Sequence, residues 1–173
     1  TWTETNGNCS TVDDVTVNFY EQPVADAGAD NSSCSLNYTL AAVPSAGTGA
    51  WTYTGPGIAT IANPTSPTSN VSVDTYGPYN FTWTETNGTC TDAATVLISF
   101  FDQPAADAGT GGDECDLDFA LNAVPSAGVG LWTATGPGAA TFTDDLDPAS
   151  DVTVSNYGTY TFTWTEISGT CSS

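Results

Sequence analysis

Five cysteines recur at a fixed spacing and are the side chains best suited to covalent chemistry in this chain. Cys9, Cys90 and Cys171 follow one another at intervals of 81 residues, and Cys34 and Cys115 share that interval. Thiols placed this regularly are candidates for disulfide formation, although spacing alone does not fix which thiols pair.

Carboxylates are the other abundant reactive groups. The chain has 20 Asp and Glu residues and no Lys, Arg or His, so its net charge is -20. Without His or Lys it cannot form a Ser-His-Asp triad, a Cys-His pair or a lysine nucleophile, and we expect no enzyme activity and no catalytic residues. Without cations it cannot contact a phosphate backbone, which excludes nucleic acid as a partner. It has no apolar run of 18 residues, so we expect no direct membrane insertion.

Three glutamates and two tryptophans recur at equivalent positions. Paired carboxylates can hydrolyse glycosides, but Glu4, Glu85 and Glu166 each stand beside a hairpin turn, where exposed strand-end residues are expected. Trp83 and Trp164 could stack on sugars, but each alternates with a phenylalanine, which favours packing in or around a core.

Acidic residues also gather where one repeat meets the next. The candidates for a Ca²⁺ site at these junctions are Glu21, Asp26, Asp102 and Asp107. Oxygen ligands of this kind suit Ca²⁺. Their spacing matches no EF-hand loop, and the alternative is that they are solvated surface charges.

An 81-residue internal repeat organises the whole chain. Thr-Trp-Thr-Glu opens it and recurs at 82–85 and 163–166. We divide the chain into a hairpin fragment (residues 1–22, the end of a preceding repeat), unit 1 (residues 23–103, a complete repeat) and unit 2 (residues 104–173, a repeat cut after its last hairpin). We expect further copies on both sides.

Each unit has the pattern of an all-β sandwich. No segment shows helical periodicity, whereas apolar and polar residues alternate along 79–84. Asn87-Gly88 is a strong hairpin signal, and the apolar run 95–101 follows as the partner strand. About seven short strands in 80 residues predict tandem immunoglobulin-like (PKD-like) β-sandwiches.

Alignment with an immunoglobulin-type sandwich predicts the core. Tyr79 takes the place of the corner tyrosine, and apolar packing of Leu40, Trp51 and Phe81 replaces the usual disulfide between the sheets. The equivalent core residues of unit 2 are Leu121, Trp132, Tyr160 and Phe162.

The motifs resemble a known type of repeat. Pro-Val-Ala-Asp-Ala-Gly at 23–28, Trp-Thr before Gly-Pro-Gly at 51–57, and Tyr-Gly-x-Tyr-x-Phe-Thr-Trp-Thr-Glu-x-x-Gly-x-Cys at 76–90 resemble the PKD-like and Ig-like repeats of giant Bacteroidota cell-surface proteins. Such repeats occur in gliding-motility adhesins and other type IX secretion cargo. The PKD hallmark Trp-Asp-Phe-Gly-Asp-Gly is replaced by Trp-Thr-Tyr-Thr-Gly, so the likeness is closer to Ig-like repeats. The resemblance implies an extracellular, cell-surface stalk or adhesin.

Two cysteines per repeat in a chain that resembles secreted repeats predict disulfides. In the immunoglobulin strand order, Cys34 lies about 20 Å from the core centre and Cys90 about 13 Å away at the opposite end, too far apart to bond. We therefore predict an inter-repeat Cys34–Cys171 bond, with Cys9 and Cys90 pairing with cysteines of preceding repeats and Cys115 with one of a following repeat. Intra-repeat bonds, Cys34–Cys90 and Cys115–Cys171, remain the alternative if the strand order differs.

These features favour a structural function. We expect a segment of a long extracellular stalk or filament of a bacterial surface adhesin, stiffened by short junctions and disulfides. Its partners would be neighbouring repeats and other copies in a filament, while its surface or glycan target is not specified by the sequence. The alternative is a carbohydrate-binding repeat array accessory to a secreted enzyme.

Overall fold

The computed structural model describes residues 1–173 and consists of strands, turns and loops. It has no helix of the length and apolar character needed to cross a membrane. The hairpin fragment contains β1 (Trp2–Asn6) and β2 (Cys9–Asp13), which pair with each other. Unit 1 contains β3 (Asn31–Ser33), β4 (Asn37–Thr39), β5 (Thr48–Thr54), β6 (Ala59–Ile61), β7 (Asn70–Val73), β8 (Gly77–Asn87) and β9 (Cys90–Phe100). Unit 2 contains β10 (Asp118–Ala120), β11 (Val129–Thr135), β12 (Ala140–Phe142), β13 (Asp151–Val154), β14 (Thr161–Ser168) and β15 (Cys171–Ser172).

The strands of unit 1 form two sheets. One has the order β3-β9-β8-β5 and the other β4-β7-β6. The first part of the unit touches both sheets, because Asp26 bridges to Val43 beyond β4 while β3 pairs in parallel with β9. A first strand shared between sheets, with β8 and β9 as the F and G strands, defines an immunoglobulin-like sandwich. The predicted tandem Ig-like fold is confirmed.

The hairpin of β8 and β9 is the longest element of unit 1. Its eleven residue pairs run from Gly77 opposite Phe100 to Asn87 opposite Cys90. The turn is possible because Gly88 takes a positive φ of 63°, which glycine adopts without steric cost. Alternate residues along both strands point inward, so the hairpin supplies six of the thirteen buried core residues of unit 1.

The core of unit 1 is aromatic. Leu40, Trp51, Tyr79 and Phe81 are all buried in it, where the sequence places the core. The Trp51 ring lies 5.2 Å from that of Trp83, and the Tyr79 hydroxyl donates to the carbonyl of Thr75 at 3.1 Å as in a tyrosine corner. The Trp51–Trp83 pair lies within one sheet, and Val71 and Val73 on β7 of the other sheet join the same buried cluster, so apolar packing takes the place of an internal disulfide.

Unit 2 repeats this plan over residues 104–173. Its sheets are β10-β13-β12 and β11-β14-β15, and its buried cluster has five residues where that of unit 1 has thirteen. Leu121 and Trp132 are buried, but Tyr160 and Phe162 are only half-buried, which corrects their prediction as full core residues. In unit 1 the same side of strand F is covered by β9, and residues 104–173 include only two residues of the equivalent strand.

Glycine is required where the ring of Trp83 crosses β5. A Cβ atom added to Gly49 would lie 1.8 Å from Cζ2 of Trp83, and one added to Gly130 would lie 1.7 Å from the same atom of Trp164. Both glycines have ordinary backbone angles, so the constraint comes from packing alone.

We expect Gly49→Ala to lower the free energy of unfolding by about 1–3 kcal/mol, because the methyl group must displace a packed indole ring. Gly111→Ala is the matched control, since a Cβ atom there meets nothing within 4 Å. The control should stay within about 0.5 kcal/mol of the wild type. Urea titration followed by tryptophan fluorescence measures both, and equal midpoints for the two variants would contradict the packing constraint.

Candidate functional site

A disulfide bond joins the two sandwiches. Cys34, in the loop between β3 and β4 of unit 1, is bonded to Cys171, the first residue of β15 in unit 2. The S–S distance is 2.05 Å and the Cα atoms are 5.6 Å apart. The bond spans 137 residues of sequence and crosses the boundary between the repeats. Of the two pairings weighed from the sequence, the structure has the inter-repeat one.

Noncovalent contacts surround this bond. The Phe101 ring lies so close over Gly169 that an added Cβ would be 2.4 Å from Cε1 of the ring. Gln103 Nε2 donates to the Ser172 carbonyl at 2.8 Å. A hydroxyl–hydroxyl hydrogen bond of 2.8 Å also links unit 1 to the turn before Cys171. The turn between β14 and β15 is therefore docked onto the end of unit 1 by packing, polar contacts and a covalent bond.

The hairpin fragment meets unit 1 in the same way. The Tyr20 ring lies over Gly88, 81 residues before the Phe101–Gly169 pair. Gln22 Nε2 donates to the Thr91 carbonyl at 2.9 Å, which matches the Gln103 contact. The noncovalent junction is thus a repeated feature, in which an aromatic ring lies over a glycine turn and a glutamine side chain donates to the strand that follows this turn.

The other three cysteines carry no disulfide in the structure. Cys9 and Cys115 are exposed and Cys90 is half-buried, with its thiol 4.0 Å from the Tyr20 carbonyl oxygen. The intra-repeat bonds, Cys34–Cys90 and Cys115–Cys171, are not formed, because Cys34 and Cys171 are bonded to each other.

The acidic residues proposed as Ca²⁺ ligands do not assemble into a site. No three of the His, Cys, Asp and Glu side chains come close enough together to hold a metal ion. Asp26 Oδ1 accepts from the Gly28 amide at 2.8 Å, and Asp107 accepts from the Gly109 amide at 2.9 Å. These two carboxylates cap local turns, and the structure supports the alternative of separate surface charges for Glu21 and Asp102 as well.

Glu85 and Glu166 are buried, which corrects their prediction as exposed strand-end residues. Glu85 is 1% exposed. Its carboxylate accepts from the Ser45 amide at 3.0 Å, the Ser45 hydroxyl, the Ala46 amide at 3.5 Å and the Trp83 indole at 3.0 Å. Only Glu4, in the hairpin fragment, is exposed.

Glu166 repeats this network in unit 2. Its carboxylate accepts from the Ser126 amide at 2.8 Å, the Ser126 hydroxyl, the Ala127 amide at 3.4 Å and the Trp164 indole at 3.1 Å. Each glutamate therefore ties the turn before β5 or β11 to strand F of its sandwich, β8 in unit 1 and β14 in unit 2.

Hydrogen bonding keeps both carboxylates ionised. Burial raises the pKa of Glu85, but the hydrogen bonds from Ser45, Trp83 and Ala46 together outweigh it, so the pKa lies below its ordinary value of 4.5. The Ser126 hydroxyl is the largest influence on Glu166 and lowers its pKa, against the opposing effect of burial. Because these oxygens are occupied by donors of the same unit, neither carboxylate is presented to a substrate.

The buried glutamates had a recognisable sequence signal. Pro-Ser-Ala-Gly recurs at 44–47 and 125–128, and Trp-Thr-Glu recurs on strand F of each unit. The serine hydroxyl and the backbone amides of the serine and the next residue supply donors. The indole two residues before the glutamate supplies a further donor on the same face of the strand. The same indoles are 1% and 4% exposed, so Trp83 and Trp164 offer no ring face to a sugar.

The structure defines a class, tandem immunoglobulin-like sandwiches joined head to tail by a disulfide. No family model matches the chain, and no curated protein matches it either.

Three solved structures are similar in fold. Extracellular domains 3–5 of Drosophila OTK match at 11% identity and a TM-score of 0.43, over 83% of this chain and 60% of that one. A three-immunoglobulin-domain segment of titin matches at 12% sequence identity and a TM-score of 0.40, over 87% of this chain and 63% of that one. The EC3–6 region of protocadherin gammaB7 matches at 11% identity and a TM-score of 0.36, over 87% of this chain and 45% of that one. The chain thus spans less than two thirds of each of these structures.

We expect Glu85→Gln to lower the free energy of unfolding by about 1–3 kcal/mol at pH 7. The substitution replaces one accepting oxygen with an NH₂ group, which is itself a donor and cannot accept from the donors around it. Since the pKa of Glu85 is lower in the folded than in the unfolded state, its contribution is full above pH 4.5 and is lost as the pH falls towards the folded-state value.

The difference between wild type and Glu85→Gln should therefore stay constant from pH 7 down to 4.5 and shrink as the pH is lowered further. Urea titrations at a series of pH values measure it, with the exposed Glu4→Gln as the control for removing one charge. A Glu85→Gln effect that equals that of Glu4→Gln, or that grows on acidification, would contradict the buried network.

Proposed function

We propose that this chain is a structural segment of an extracellular stalk, in which immunoglobulin-like repeats are fixed end to end by disulfides. The observation that carries the proposal is the Cys34–Cys171 bond. A disulfide within a sandwich stabilises that sandwich, whereas one between sandwiches restricts the angle between them. The second role matters for a protein whose length and stiffness are its function.

The chemistry of the chain supports an extracellular location. Disulfides form and persist in oxidising surroundings and are rare in the cytosol. The chain also offers no Lys or Arg, so proteases that cut after cations find no site in it. A net charge of -20 keeps neighbouring stalks apart at low ionic strength.

The junction is suited to bearing load along the chain axis. Contacts between domains in one chain ordinarily leave them free to move. Here Phe101 lies over Gly169, Gln103 donates to the Ser172 carbonyl, and the disulfide holds Cys171 of the same turn. Several attachments to one docked turn resist bending better than a single linker does.

The finer proposal is that the stalk belongs to a bacterial surface adhesin. It rests on the resemblance of the motifs at 23–28, 51–57 and 76–90 to repeats of Bacteroidota cell-surface proteins. The carbohydrate-binding alternative loses its main candidates, because the tryptophans that would stack on sugars are buried in the cores.

We expect the double variant Cys34→Ser/Cys171→Ser to keep both sandwiches folded while the angle between them becomes broadly distributed. The triple variant Cys9→Ser/Cys90→Ser/Cys115→Ser is the matched control, since it removes three thiols and leaves the bond in place. Small-angle scattering and negative-stain images measure the maximum dimension and the spread of inter-unit angles. The control should match the oxidised wild type, and equal angular spread in the double variant would refute a stiffening role.

A further inference from the structure

An asparagine–glycine pair forms the turn of unit 1 that docks onto the hairpin fragment. Asn87 is the last residue of β8, and Gly88 begins the two-residue turn that leads to β9. Asn87 faces Cys90 in the last residue pair of the hairpin. The Asn87 side chain is half-buried, and its Nδ2 atom donates to the Glu21 carbonyl at 3.0 Å. The side-chain amide is therefore itself one of the junction contacts.

The backbone nitrogen of Gly88 is free to react. Its N–H lies in the turn, outside the strand ladder, and donates no hydrogen bond within the chain. The same holds for Gly169 at the junction with unit 2, where the complete unit 1 lies against the turn. The free amide is therefore a property of the turn itself. Glycine also has no Cβ atom, so the side-chain carbon of the preceding residue approaches this nitrogen without steric hindrance.

An asparagine that precedes a glycine loses its side-chain amide without an enzyme. The Gly88 nitrogen, after losing its proton, attacks Cγ of Asn87, a C–N bond forms, and the side-chain nitrogen leaves as ammonia. Water then opens the resulting five-membered imide at one of its two carbonyls. One product is aspartate, and the other is isoaspartate, in which the main chain runs through the side-chain carbon. No electrons are transferred, and the net reaction consumes one water and releases one ammonia.

We propose that Asn87 is a site of spontaneous deamidation, and that its conversion releases the hairpin fragment from unit 1. In either product a carboxylate replaces the NH₂ group that donates to the Glu21 carbonyl. Two acceptors then face each other, and the carbonyl loses its partner. The new charge also lies beside the Glu21 side chain in a chain that already has a net charge of -20.

Isoaspartate disturbs the other contacts of the junction as well. It adds one carbon atom to the main chain between β8 and the turn, so Gly88 moves beneath the Tyr20 ring. The fit there is close, since a Cβ atom added to Gly88 would lie 2.4 Å from Cγ of that ring. Gln22 donates to the Thr91 carbonyl immediately after the turn, so this contact moves with it. The noncovalent contacts of the junction are thus lost together.

Unit 2 has a turn that cannot undergo this reaction. Ser168 stands where unit 1 has Asn87, and it precedes Gly169 at the same position of the hairpin. Serine has no side-chain amide to lose. The junction between the hairpin fragment and unit 1 therefore has a limited chemical lifetime, whereas the junction between units 1 and 2 does not, although an aromatic ring lies over the glycine in both.

The first experiment measures the modification. The 173-residue chain is kept reduced at mildly alkaline pH, cleaved at acidic residues and mapped by mass spectrometry. We expect the mass change from amide to acid at Asn87, at a rate within about tenfold of that in a synthetic peptide of residues 84–92, because turns open locally at little cost. The rate should rise with pH, since the Gly88 nitrogen must lose its proton. Asn80, which precedes a phenylalanine, is the internal control and should stay intact. An intact Asn87 after full conversion of the peptide overturns the proposal.

The second experiment measures release of the junction. Nuclear magnetic resonance reads the Hα protons of Gly88, whose shift depends on the Tyr20 ring above them. We expect this shift to be lost in the aged, isoaspartate-containing chain and in Asn87→Asp. It should persist in Asn80→Asp, which adds the same charge on the exposed face of β8.

A further control separates loss of the amide from gain of charge. Asn87→Ser reproduces the residue of the docked turn in unit 2, so it should keep the Gly88 shift and remove the modification. An aged chain or an Asn87→Asp variant that keeps the docked shift overturns the proposal. Neither experiment alters the Cys34–Cys171 bond, so the result is independent of the stiffening role of that bond.

Discussion

Pairing between strands F and G is the interaction on which the rest of the molecule depends. In unit 1, β8 and β9 pair along eleven residues, and β9 in turn holds β3 in the same sheet. These two strands supply six of the thirteen buried core residues of unit 1. The turn of the same hairpin is also the surface that docks on the preceding repeat. One element therefore closes its own sandwich and positions the neighbouring one.

The absence of cations shapes how the interior handles charge. A buried carboxylate ordinarily needs a Lys or Arg partner, and this chain has neither. Glu85 is instead surrounded by donors that carry no net charge, namely amides, a hydroxyl and an indole. Such an arrangement avoids burying a second ion and fixes the orientation of every donor. It also holds the turn at Ser45 against strand F, at the end of the sandwich that faces the preceding repeat.

The sequence predicted the fold well because its strongest signals are local or repeated. Asn87-Gly88 marks the hairpin, and alternation along 79–84 marks strand F, since both depend on neighbours in the chain. Burial of Glu85 was missed because its donors lie about forty residues away in the Ser45 turn. Tyr160 is half-buried because residues 104–173 include only two residues of the strand that covers Tyr79 in unit 1. The calcium ligands were wrongly grouped because proximity in sequence to a junction does not make carboxylates converge.

Placing the disulfide between repeats changes what the bond stabilises. Cys34 and Cys171 are 137 residues apart in the sequence, so the loop that their bond closes includes most of both units. In a repeat array, the free energy of unfolding is the sum of the stability of each unit and the stability of each interface between neighbours. The disulfide bond acts on the interface, because the two units cannot separate fully while the bond is intact. Since the docked turn belongs to the F–G hairpin, loss of that hairpin would also release the noncovalent contacts of the junction and leave the disulfide as a flexible tether. Folding of a unit and its alignment with the preceding unit are therefore coupled through the same strands.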